Sequence, residues 1–176
     1  MSPLADPGRE AFVFDATPLM YLAKAGVLEV LAQLSNPFLV PPRVFREVVE
    51  EGRKRGATDA QVLERLIAAG RFRVRQVGSK SLLARLREDP RLSEADREAL
   101  GLAVETGARL LADDESLRSA ARARGAKVGG SLYLLHLLVE RGLLSSDQAV
   151  QAVERMIAEG WFCSPLLYRA FVRSLG

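Results

Sequence analysis

The chain is poor in the side chains on which most enzyme mechanisms depend: 176 residues hold one histidine, one cysteine and one tryptophan. The lone Cys163 excludes an intramolecular disulfide and suits a reducing cytoplasm. Beside Trp161 and Phe162 it reads as a packed thiol. His136 lies inside the apolar run LYLLHLLVE and reads as a packed helix residue. Its isolation argues against Ser-His-Asp or Cys-His chemistry. No Gly-Lys-Ser/Thr phosphate loop is present. No apolar run reaches the roughly 18 residues that span a bilayer, so no membrane association is expected. The opening MSPLADPGRE lacks the charged start and apolar stretch of a signal peptide. A cytoplasmic protein is therefore expected.

What is present is apolar mass and arginine. Hydrophobic residues make up 48%, enough for one compact domain over 1–176. The net charge is +3, unevenly placed. Segment 71–91 carries seven Arg or Lys against Glu88 and Asp89, and segment 118–127 carries Arg118, Arg122, Arg124 and Lys127 without an acid. Such segments can hold a phosphate backbone or be solvated helix faces; charge alone does not separate the two.

Short β-like runs alternate with helical stretches. Strands are expected at Phe12–Phe14, Phe38–Val40, Phe72–Val77, Arg109–Ala112 and Lys127–Gly129. Thr17-Pro18 and Pro42 read as helix starts, Thr58 with Gln61 as a capping box, and Ser93 as the cap of a helix reaching Gly107. Gly70 and Gly125 read as terminators. The alternation predicts an α/β fold, a three-layer α/β/α arrangement around a parallel sheet of about five strands. After Gly130 three Ser-capped helices are expected, so 131–176 reads as a helical extension packed on the domain.

Acids recur where such elements would converge. Asp15 ends the first strand, before a helix. Glu47 lies at the edge of the apolar stripe Val44, Val48, Val49. Asp96 fits a capping box after Ser93 but also continues the stripe Leu100, Ala103. Asp113 and Asp114 follow the fourth strand; one could cap the next helix while the other binds an ion. Asp114 is preferred as the ligand, with Asp113 beside it. Gathered carboxylates repel one another unless a cation neutralises them, so the pattern suggests a divalent-metal site.

Together these stretches resemble the PIN (PilT N-terminus) domain family of nucleases, in order over residues 11–145. VFDATPLMYLAKAG is similar to its first strand and metal-binding aspartate, VPPRVFREVVEEG to its helix-borne acid, and LSEADREALGLAVETGARLLADDESLR to its third and fourth acid motifs. AKVGGSLYLLHLLVERGLL resembles the last strand and glycine–hydroxyl turn of a prokaryotic branch that includes VapC-type toxins. Two departures stand out. Ala112 occupies a place where Thr is often found, and Ser131 stands where Thr is frequent.

The resemblance implies a metal-dependent endoribonuclease acting on single-stranded RNA, as the toxin of a type II toxin–antitoxin pair. It implies Mg²⁺ or Mn²⁺ on Asp15, Asp96 and Asp114 or Asp113, with Glu47 binding a second ion or orienting water. Thr17 and Ser131 would hydrogen-bond behind the ligands, and Arg118 and Arg122 would contact RNA. An antitoxin protein and a homodimer are the implied partners. The alternative is an inactive module of the same fold that binds RNA or protein.

Overall fold

The computed structural model describes residues 9–176; the segment 1–8, most of the opening MSPLADPGRE, lies outside them. Its centre is a five-stranded, wholly parallel sheet in the order β3-β2-β1-β4-β5. The strands are β1 (Phe12–Phe14), β2 (Phe38–Val40), β3 (Phe72–Val74), β4 (Arg109–Leu111) and β5 (Val128–Gly129). Three of them are shorter than the sequence suggests: the third stops at Val74, the fourth at Leu111, and the fifth begins at Val128.

Period-two alternation divides the sheet into two cores. Phe12, Phe14, Phe38, Val40 and Leu111 face one side. Val13, Leu39 and Leu110 face the other. The first core is closed by α1 (Ala16–Lys24), α2 (Leu28–Leu31), α5 (Thr58–Ala68), α9 (Ser131–Glu140), α10 (Ser146–Ala158) and α11 (Pro165–Ser174). The second is closed by α6 (Lys80–Arg87), α7 (Glu94–Thr106) and α8 (Glu115–Arg122). This is the expected three-layer α/β/α fold.

The rod after β2 is less regular than its sequence. It begins as α3 (Pro42–Phe45), widens into a π-helix (Arg46–Glu51) and ends as α4 (Gly52–Lys54). The wider turn brings Val44, Val48 and Val49 into the core together. Helix starts also differ. Asp15, not Thr17, occupies the N-cap of α1, and Ala57 precedes α5, so Thr58 and Gln61 form no capping box. Ser93, Ser145 and Ser164 do cap their helices, while Gly130 precedes α9.

The C-terminal helices share the first core. Leu134, Leu138, Ala149, Val153, Met156 and Phe171 are buried in it. Arg155 Nε donates to the Ala25 carbonyl, fastening α10 to the end of α1. Among the described residues, no helix is long and apolar enough to cross a membrane.

Candidate metal centre

Strand order reverses between β1 and β4, whose carboxyl ends therefore open a crevice, the usual ligand position in open parallel sheets. Asp15 and Asp113 stand there. The Asp15 N–H donates to the Leu111 carbonyl at 2.9 Å, binding the two strand ends together. The Asp15 carboxylate is buried and makes no cap bond to its helix, although the adjacent Ala16 N–H donates to it. Burial, with the charges of Asp96, Glu47 and Asp113, pushes its carboxyl up to about 7. Four acids from four separate segments thus share one electrostatic environment.

The adjacent acids Asp113 and Asp114 divide their roles. Asp114 is the N-cap of α8, and its Oδ1 accepts from the Leu117 N–H at 2.8 Å. Asp113 instead acts on Asp15. Its Oδ1 accepts from the Ser131 N–H at 2.7 Å, and its Oδ2 from Ser131 Oγ at 2.7 Å and Trp161 Nε1 at 3.0 Å. The preference for Asp114 thus meets a competing duty, while Asp113 is the one of the two whose charge acts on Asp15. Gly130 makes this possible, because a Cβ there would lie 2.6 Å from Asp113 Oδ1.

Asp96 carries the capping box anticipated for it: Oδ2 accepts from the Ser93 N–H at 2.7 Å, and Ser93 Oγ accepts from the Asp96 N–H. It nevertheless acts on Asp15, so capping and membership of the cluster coincide. Glu47 is exposed, on the π-helix, near the start of α7 in an open cleft with Arg46, Ser93 and Ala95.

The anticipated RNA-binding cations are occupied within the protein. Arg118 Nη1 donates to the carbonyls of Ala112 and Gly129, bracing the ends of β4 and β5. Arg122 pairs with Glu115. Arg124 meets Ala120 and Asp89, and Lys127 meets Glu10. Segment 118–127 has no acid of its own, but the fold brings acids to it. In segment 71–91, Arg71 donates to the carbonyls of Ala32 and Leu34, and Arg91 pairs with Asp89. Thr17 lies half-buried in the first turn of α1. His136 sits between Ser174 and Glu140 with its side chain 35% exposed, at the surface of α9 and not packed in the core as expected. Cys163 is free and half-buried, and burial raises its thiol.

No group of three or more His, Cys, Asp or Glu side chains among the described residues forms a ready cation cage. The donor chemistry nevertheless fits a hard divalent ion: all four candidate ligands are carboxylates, and Asp15 is a buried acid surrounded by acids. Sequence reasoning missed Trp161 as a partner of Asp113. The signal available was that the only indole must satisfy its N–H if buried.

A family model described as PIN domain matches residues 11–176. No curated protein matches. Among solved structures, the chain is similar to a PilT N-terminus domain protein from the hyperthermophilic archaeon Sulfolobus solfataricus P2. That match has 20% identity and a TM-score of 0.50, over 73% of this chain and 94% of the other. At that identity the likeness supports the fold alone, whereas the family match spans nearly the whole chain. The chain belongs to the PIN domain family, whose fold is that of a nuclease.

Proposed function

We propose that the protein is a Mg²⁺- or Mn²⁺-dependent endoribonuclease that hydrolyses single-stranded RNA, and that it serves as the toxin of a type II toxin–antitoxin pair. The observation that carries the nuclease reading is Asp15: a buried carboxylate at the sheet's switch point, raised to about 7 under the influence of Asp96, Glu47 and Asp113. A fold retains such an unfavourable arrangement for function more readily than for stability.

On this reading Asp15, Asp96 and Asp113 hold the cation, and Glu47, the most exposed of the acids, orients the attacking water. Ser131 holds the Asp113 carboxylate in place by donating to both of its oxygens. Asp114 secures the start of α8, and Arg118 keeps the ends of β4 and β5 in register. A bound divalent ion would supply Lewis-acid stabilisation of the phosphodiester and lower the pKa of water. The toxin assignment rests on the resemblance to the VapC-like branch, and it entails an antitoxin partner in the same cytoplasm.

The test is cleavage of an unstructured RNA oligonucleotide with and without Mn²⁺. Asp15→Asn combined with Asp96→Asn should abolish cutting while the circular dichroism spectrum stays native. Undiminished cutting by that double variant would overturn the site. A second reading is an inactive RNA- or protein-binding module of the same fold. It predicts RNA binding without turnover at any Mn²⁺ concentration. The toxin role is tested separately, by whether expression arrests growth and co-expression of the adjacent small gene relieves it.

A further inference from the structure

Trp161 is the only tryptophan of the chain, and it lies 48 residues from Asp113 in sequence. The chain is turned toward the site by Gly160, whose φ of 96° lies in the left-handed region. The Trp161 N–H then closes on the Met156 carbonyl at 2.9 Å. The indole is buried in the first core, while the next side chain, Phe162, is 87% exposed.

A carboxylate offers about four lone-pair positions, two on each oxygen. Asp113 Oδ2 accepts from both Ser131 Oγ and Trp161 Nε1, whereas Oδ1 accepts from the Ser131 N–H alone. Without the indole, both oxygens would have a free position and the carboxylate could rotate about its bond to Cβ. With it, Oδ2 is saturated.

We propose that Trp161 is a positioning residue of the metal centre: it saturates Asp113 Oδ2 and so leaves Oδ1 as the oxygen through which Asp113 meets a cation. The connection between α10 and α11, which contributes no acid to the cluster, thereby controls the orientation of one of its ligands. The inference rests on the metal reading of the site. Groups that orient a metal ligand commonly contribute 10–100-fold to metal affinity.

A buried indole must satisfy its N–H, so the competing explanation is that Asp113 merely serves Trp161. Because the chain has one tryptophan, the two can be separated without altering the packing. Residue-specific replacement with benzothienylalanine keeps the fused ring but puts sulfur in place of N–H. Mn²⁺ affinity is measured from the dependence of thermal stability on Mn²⁺ concentration, and independently by calorimetry.

The expected result is a 10- to 100-fold weaker Mn²⁺ affinity for the substituted protein and for Trp161→Phe. The metal-free melting temperature of the benzothienylalanine protein should move little, and Phe162→Ala should bind Mn²⁺ as wild type does. If the benzothienylalanine protein binds Mn²⁺ within twofold of wild type while Asp113→Asn loses binding, Trp161 only packs and the inference is wrong. If wild-type protein binds no Mn²⁺, the metal reading fails and takes the inference with it.

Discussion

At the scale of single residues, Asp15 sets the balance between stability and function. Its carboxyl is raised from 3.8 to about 7, so between those values the folded chain holds the proton more tightly than the unfolded chain does. Metal-free protein should lose stability as pH rises through that window, and removing the charge should restore it. Asp15→Asn is expected to raise the metal-free melting temperature at pH 8 by about 4–8 °C, on the order of 2 kcal/mol. It should also remove the stabilisation that wild type gains from Mn²⁺. Thermal melts in EDTA and in Mn²⁺, at pH 5 and pH 8, check both halves. Asp113 and Asp114 form a second residue-scale comparison. Asp114→Ala should cost about 1 kcal/mol through the lost cap of α8 and leave Mn²⁺ affinity intact. Asp113→Asn should do the reverse, weakening Mn²⁺ about 10-fold or more in the same titration.

At the scale of elements, strand ends and helix starts explain what was legible. Asp15 and Asp96 could be placed from the sequence because each lies at a punctuated boundary: an apolar strand meeting a helix, and a Ser-x-x-Asp cap with an apolar stripe behind it. The different hydrogen-bond partners of Asp113 and Asp114 were not legible, because those of Asp113 are Ser131 and Trp161, which arrive from 18 and 48 residues away. The π-helix was hidden for a related reason. Val44, Val48 and Val49 fit an ordinary helical stripe closely enough that the widened turn beneath Glu47 leaves no local mark. Gly130 belongs to this scale because it is the space between two elements. Gly130→Ala would set a Cβ 2.6 Å from Asp113 Oδ1 and 3.0 Å from the Ala112 carbonyl. Since φ there is −155°, the backbone tolerates the change and the clash alone decides. We expect a loss of about 1–3 kcal/mol in thermal denaturation, together with weakened Mn²⁺ binding.

At the scale of the whole molecule, the sheet, both helical layers and the C-terminal helices were readable from alternation and capping, whereas the electrostatic surface was not. Composition gave +3 and two basic segments. Folding then placed Glu10, Asp89 and Glu115 against the second of them, while Arg118 turned inward to backbone carbonyls. Surface ion pairs of this kind are worth about 0–1 kcal/mol, so Arg122, Arg124 and Lys127 can exchange partners for phosphate, though each exchange must break an existing contact. Arg118 is different, because releasing it would unbrace two strand ends. Four free cations, each neutralising one RNA phosphate, would give a slope of about −3 for the logarithm of binding constant against the logarithm of salt. With Arg118 committed and the other three paired, we expect a slope no steeper than about −1.5 for unstructured RNA and the Asp15→Asn protein. A measured slope of −3 would show that the intramolecular pairs open on binding. Glu115→Gln, which releases Arg122 from its acid, should steepen the slope measured in the Asp15→Asn background by less than about 1.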